Sequence, residues 1–412
     1  MKKILALLLA LCMIFALAAC GETKPAETKP AEEPAAEAPA AEEPAAEAPA
    51  EEAPAEEPAA EAADIRVAMI TDYGDITDQS FNQTTYEACK EYCEANGVDF
   101  KYYKPGSDSD DDRITMIENA IEEGFNVIVT PGYAFAPALV ATAPEYPEVT
   151  FVALDVSEYD LQDANGTADD FSWEYPANLY SAVYQEELCG YMAGYAAVKL
   201  GYKNLGFLGG MAVPAVVRYG YGFVQGADAA AAELGLSDVE IKYAYGNQFY
   251  GDADITAAMD TWYSNGTEIV FACGGGIFSS AAEAAAKVDG KVIGVDVDQA
   301  PTIDGLYGEG MTVTSAMKGL APTVKTMLRL IQEGKFEGGK VETLGLVSEN
   351  PEENYVQIPM ESTQWSDNFT VEDYKALVAA MFAGEIEVSN DIETTPNELA
   401  TVAIVTDLGN LK

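Results

Sequence analysis

Histidine is absent from all 412 residues, and that one absence removes several chemistries. Ser-His-Asp and Cys-His pairs have no base, and most zinc sites lose their commonest ligand. Basic residues are scarce as well: 22 Lys and Arg stand against 69 Asp and Glu, for a formal charge of −47. Binding a polyanion needs clustered cations, so nucleic acid is not an expected partner. An acidic surface serves solubility and weak non-specific association. Cysteine is limited to six positions, with no C-x-x-C spacing, so neither a metal cluster nor another cofactor is expected. Cys89 and Cys93 lie four apart on an expected helix, where a disulfide is strained. With Cys189 and Cys273 they read as small buried hydrophobes.

What is present begins with a leader. Lys2 and Lys3 precede an apolar run from Ile4 to Ala19, which ends in Leu17-Ala18-Ala19-Cys20. That is the layout of a secretory signal, and the run is shorter than the roughly 20 residues that span a bilayer. A cysteine directly after the small residues resembles the bacterial lipoprotein pattern. The resemblance implies a signal peptide over residues 1–19, lipid attachment at Cys20, and a mature chain held on the outer face of the cell membrane. Residues 20–63 follow as a spacer of Ala, Glu and Pro in which 31–40 recur unchanged as 41–50. With no Val, Ile, Leu or aromatic residue to bury, it is expected to be disordered. At about 3.1 Å per residue it reaches at most roughly 130 Å. The spacer holds 13 Glu and 2 Lys and the leader adds +2, which leaves −38 on residues 64–412.

About 350 residues is too long for one ordinary core, so two lobes are expected. Strand-like runs at Ile65–Thr71, Val98–Tyr103, Val127–Thr130, Thr150–Asp155, Leu205–Leu208, Glu240–Ala244, Ile269–Cys273, Val292–Asp296 and Met311–Thr314 alternate with helical patterns. This alternation predicts an α/β protein of two doubly wound parallel-sheet lobes with a ligand cleft near the strand C-termini. Lobe 1 is expected over residues 64–182 with a return at 315–340. Lobe 2 takes 183–314 and the C-terminal part. Several strands end in unusual residues: Thr71 to Asn82 (TDYGDITDQSFN), Thr130-Pro131-Gly132-Tyr133, Cys273-Gly274-Gly275-Gly276 and Gly294 to Gln299 (GVDVDQ).

These segments, in order, resemble the basic membrane protein family of lipoproteins, purine-nucleoside receptors that serve ABC-type importers. The T-D-x-G-x-x-x-D-x-S-F-N run is Thr71 to Asn82. G-G-x-x-x-P is Gly209 to Pro214, G-Y-G-F-x-x-G is Gly220 to Gly226, V-I-G-V-D-x-D-Q is Val292 to Gln299, and T-S-x-x-K is Thr314 to Lys318. The resemblance implies a type I periplasmic-binding-protein fold with a hinged cleft that closes on a nucleoside-like molecule, and an ABC permease as partner. It places one aromatic plate at Phe81 and the other at Phe249, with Tyr250 as the close rival. It places the ribose carboxylate at Asp296 and the sugar-facing lysine at Lys318.

The residue chemistry fits that ligand class. A purine is a flat apolar plate suited to aromatic faces. Asn82 both donates and accepts along a base edge, and a carboxylate such as Asp296 accepts from vicinal hydroxyls. Gly274 and Gly275 let backbone approach a ligand closely. Each residue has a plainer reading. Phe81 and Phe249 serve equally as packing, Asp296 as a helix cap, Lys318 as a surface lysine, Tyr133 as lobe core, and Asp72 as a brace for its loop.

Two departures stand out. The family often carries an acidic base-reading residue near G-F-x-F-x-D, and here that position is Pro137. The segment Tyr159 to Trp173 is also long and polar. Three rivals remain open: a same-fold receptor for a sugar or furanose, a solute sensor, and a nucleoside hydrolase. The hydrolase needs a calcium-binding aspartate cluster, for which Asp72, Asp75 and Asp78 are the candidates. Ser107 to Asp112 (SDSDDD) lacks the glycine and closing Glu of a calcium loop and reads as a helix start. Without a catalytic constellation, no enzyme is expected.

Overall fold

Short aliphatic runs buried on both faces, each followed by a helix, give this chain its repeating unit. The computed structural model describes residues 63–72 and 74–412. The expected signal, Cys20 and the spacer up to residue 62 lie outside the described residues. The elements in order are β1 (Arg66–Ile70), α1 (Phe81–Asn96), β2 (Asp99–Tyr103), α2 (Asp110–Glu122), β3 (Val127–Pro131), α3 (Ala136–Thr142), β4 (Thr150–Leu154), α4 (Glu158–Ala164) and β5 (Leu179–Tyr184). Then come α5 (Glu186–Lys199), β6 (Asn204–Gly209), α6 (Pro214–Leu234), β7 (Glu240–Tyr245), α7 (Ala253–Ser264), β8 (Ile269–Cys273), α8 (Phe278–Ala285), β9 (Lys291–Asp296), α9 (Ala300–Tyr307) and β10 (Thr312–Lys318). The chain ends with α10 (Leu320–Gln332), β11 (Lys340–Leu344), β12 (Val356–Gln357), α11 (Val371–Phe382) and β13 (Ile404–Asn410).

Two sheets result, ordered β11-β5-β4-β3-β1-β2 and β12-β10-β9-β8-β6-β7-β13. Their strands pair in parallel except β10 with β12. Alternation along each strand serves both faces. In β1, Val67 and Met69 face the layer that holds Cys89 and Cys93 of α1. Ala68 and Ile70 face Ile117 of α2 and Leu139 of α3. In β8, Ile269 and Phe271 point one way and Val270 and Ala272 the other. The four described cysteines are free and buried in this packing.

Over the described residues the chain passes between the sheets three times: from β5 to α5, from β10 to α10, and from β11 to β12. Ser315 to Lys318 extend β10 in the second sheet, and Lys340 to Leu344 form the edge of the first.

Helix α5 lies against α6 so closely that a methyl group on Gly194 would run into the Phe223 carbonyl, and one on Gly226 into that of Tyr191. The acidic run before α2 is a helix start: Ser109 caps it, and Asp110 to Asp112 occupy its first turn. Asp78 serves α1 in the same way, its carboxylate accepting from the backbone N–H groups of Ser80, Asn82 and Gln83 at 3.0, 2.9 and 3.0 Å.

Candidate functional site

The C-terminal ends of β1, β3 and β4 in one sheet, and of β7, β8, β9 and β10 in the other, border one cavity of about 510 Å³. That is the size range of small-molecule sites. All nine expected cleft residues line it: Asp72, Phe81, Asn82, Tyr133, Phe249, Gly274, Gly275, Asp296 and Lys318. Pro137 does not; it sits in the first turn of α3. Ser157, just after β4, and Asp160, in the long polar segment, reach the wall instead.

One end of the cavity carries buried amide and carboxyl groups. Asp72 accepts from the Gly74 N–H at 2.6 Å. Burial, opposed by that bond and reinforced by the charge of Asp78, pushes its carboxyl up to about 6. Asn82 donates to Asp78 at 3.1 Å, while its own carbonyl oxygen is buried without a hydrogen-bond partner. Asp75 accepts from Lys104 at 2.8 Å and from the Thr77 hydroxyl at 2.9 Å. Among the described residues no group of three or more His, Cys, Asp or Glu is placed to hold a metal ion. The aspartates of this loop are instead spent on the loop and its helix.

The other end is a charge network that spans both sheets. Lys318, 6% exposed, donates to Asp155 at 2.5 Å and to Glu186 at 3.3 Å, and lies 3.8 Å from Asp296. Arg218 donates to the far oxygen of Glu186 at 2.7 Å. Asp296 accepts from Ser80 at 2.5 Å and from the Tyr219 hydroxyl at 3.2 Å. Burial drives the Asp155 carboxyl up to about 6 even though Lys318 pulls it down. Burial acts on Glu186 too, but Arg218 and Lys318 outweigh it and hold Glu186 below its usual range. The three surrounding carboxylates hold Lys318 charged against its burial. One Asp155 oxygen is buried without a hydrogen-bond partner.

Both aromatic candidates are half-buried. Phe81 lies in the first turn of α1, with the Lys318 ammonium 4.8 Å from its ring centre. Phe249 follows β7 and packs on backbone. A methyl on Gly274 would come within 2.9 Å of its ring, and Gly274 and Gly275 have φ of 144° and 52°. Tyr250 also borders the cavity but is 63% exposed. Asp155, Glu186, Arg218, Tyr219 and Ser80 were not foreseen as members of the cluster. Two of them had a visible signal: Asp155 as an acid closing a predicted strand, and Ser80 as the serine of the Thr71 to Asn82 run.

With this geometry in hand, the comparisons with known proteins are direct. The family described as "ABC transporter substrate-binding protein PnrA-like" matches residues 65–389. The chain is 28% identical over 301 residues to the ABC transporter nucleoside-binding protein BmpA of Lactococcus lactis, covering 69% of this chain and 79% of that one. It is 27% identical over 296 residues to basic membrane protein B of Borreliella afzelii, covering 69% and 79%. Among solved structures, an ABC transporter solute-binding protein from Aeropyrum pernix superposes with a TM-score of 0.60 at 22% identity, over 81% of this chain and 90% of that one. That likeness shows the type I periplasmic-binding-protein fold. The chain belongs to the PnrA-like family of ABC transporter substrate-binding proteins.

Proposed function

We propose that this protein captures a nucleoside, by preference a purine nucleoside, between its two lobes and delivers it to an ABC-type importer. The observation that carries the reading is one cavity with two different ends. Phe81 from one lobe and Phe249 from the other supply aromatic surface for a base. Asp296 and Lys318 supply a carboxylate and an ammonium for a sugar.

The roles follow from unspent hydrogen-bonding capacity. The free carbonyl oxygen of Asn82 accepts from an amino group on the base edge. Asp72 stands beside it and takes the part that Pro137 cannot. The unpartnered oxygen of Asp155 accepts from a sugar hydroxyl, and Asp296 and Lys318 hold the others. Tyr133 closes the wall beside Asp72, and Gly274 and Gly275 bring backbone close to the ligand. The name of the Lactococcus lactis relative, a nucleoside-binding protein, points the same way. The site binds without chemistry of its own.

Capture takes place outside the cytoplasm. The leader and Cys20 fit a lipid anchor in the cell membrane, with the Ala/Glu/Pro spacer as tether. Labelled palmitate incorporated into the wild-type chain and lost in Cys20→Ala supports the anchor; equal labelling refutes it. The solute is tested by thermal unfolding against nucleosides, free bases and sugars. A ligand at a hundredfold excess over its Kd stabilises by about 2.7 kcal/mol. A rise in Tm with nucleosides alone is the expected result. A rise with a sugar and none with any nucleoside overturns the reading.

A further inference from the structure

Asp296 is held in a rare backbone state. Its φ is 65°, and the Val297 N–H reaches back over it to the Val295 carbonyl at 2.7 Å. Such a turn persists only where its surroundings enforce it. The enforcing group is Gln299, which is fully buried. Its side-chain oxygen accepts from the Val295 N–H at 2.9 Å, and its own N–H donates to the Ser315 hydroxyl at 3.1 Å. Gly294 makes room, since a methyl there would come within 2.8 Å of the Gln299 Cβ.

The side-chain amide nitrogen of Gln299 reaches out of the lobe. The Gln299 amide nitrogen donates to the Gln79 carbonyl across the cleft at 2.9 Å. Gln79 is itself left-handed, with φ of 57°, and its side-chain oxygen accepts from Thr302 at 3.3 Å. The next residue, Ser80, donates to Asp296. A single amide therefore braces the strand end that aims Asp296 and binds the loop of the opposite lobe.

We propose that Gln299 is a positioning residue that couples lobe closure to the aim of Asp296, so that the sugar-binding carboxylate is set only when the lobes are latched. This deepens the nucleoside reading and rests on it for the ligand. Gln299 has no place in the cavity wall, so it acts through Asp296 and through Gln79. Thr302 touches only the latch, which separates the two effects.

The test uses the full chain, adenosine and 2′-deoxyadenosine as probes, and the variants Gln299→Met and Thr302→Val. Gln299→Met is expected to raise the adenosine off-rate about tenfold, because it loses two hydrogen bonds, one across the cleft and one that braces the turn. It is also expected to shrink the preference for adenosine over its 2′-deoxy analogue at least threefold. Thr302→Val is expected to raise the off-rate two- to threefold and leave that preference unchanged. A Gln299→Met protein that loses Tm while keeping both the off-rate and the preference overturns the proposal.

A second arm needs no solute. In a Gln79→Cys, Thr302→Cys chain, an added oxidant forms the cross-cleft disulfide at a rate that reports closure. Adding Gln299→Met is expected to slow it several-fold, and an equal rate overturns the latch. If the wild type binds neither probe but cross-linking slows, the latch stands and the nucleoside reading falls.

Discussion

Replacing Lys318 by methionine removes the one ammonium among Asp155, Glu186 and Asp296, which lie 2.5, 3.3 and 3.8 Å away. Methionine fills a similar volume, so the loss is electrostatic. Glu186 keeps Arg218, but Asp155 loses its cation. Breaking a buried pair from one side costs about 3–5 kcal/mol, a large part of a typical stability of about 5–15 kcal/mol. The pH dependence identifies the cause. Asp155 already sits at about 6, above its ordinary 3.8, so in the wild type its ionisation costs stability as pH rises from about 4 to 6. Without Lys318 its carboxyl rises further, and the native variant keeps a proton that the unfolded chain has lost. The penalty relative to wild type therefore grows above pH 6 by about 1.4 kcal/mol per unit until that carboxyl ionises. Urea unfolding at pH 5.5, 7 and 8 measures it. A loss under about 1 kcal/mol at pH 8, or one equal at pH 5.5 and 8, refutes the network.

Glu187, buried beside Glu186 with one oxygen that makes no hydrogen bond and lies 4.0 Å from Arg218, is pushed up to about 7 by burial. Its folded value exceeds its unfolded one, so its charge destabilises the native state as pH rises from about 4.5 to 7. Glu187→Gln is expected to stabilise by about 2–3 kcal/mol at pH 8 and not at pH 4, as read by urea unfolding at both. Gly194→Ala drives a methyl into the Phe223 carbonyl between α5 and α6. It should cost about 1–3 kcal/mol in thermal unfolding, and an unchanged Tm means that the helices part freely. Phe81→Ala and Phe249→Ala each remove one aromatic face, and base stacking is worth about 1–3 kcal/mol. Calorimetry should show nucleoside affinity falling roughly five- to 150-fold, and sugar-like binding with both rings dispensable would contradict the base-binding role.

The repeating strand–helix pattern was legible because central strands such as β3 and β8 are continuous apolar runs. β11 and β13 were not. They are half-buried or exposed edges that read KVETL and IVTDLGN, and nothing in such segments distinguishes strand from loop. β5, LYSAVY, carries the alternation of a strand but lies directly after the polar segment and was passed over with it. In the cleft, glycines and aromatics at strand ends were visible as motifs. So was Asp296, in the run from Val292 to Gln299. The other two partners of Lys318, Asp155 and Glu186, were not. They lie 163 and 132 residues from it in sequence, and the crossovers between the sheets fold them together. Local pattern does not encode that meeting. Ser80 and Gln299 stood within the motifs, but the bonds they make across the cleft, to Asp296 and to Gln79, were not visible there.

The central claim is that base and sugar are held together in one cavity. Calorimetric titration of the protein with adenosine, adenine and ribose tests it most directly. Adenosine should bind at least a hundredfold more tightly than either part, because both ends of the cavity are filled at once. Ribose or adenine binding as tightly as adenosine, or adenosine failing to bind, would contradict the account.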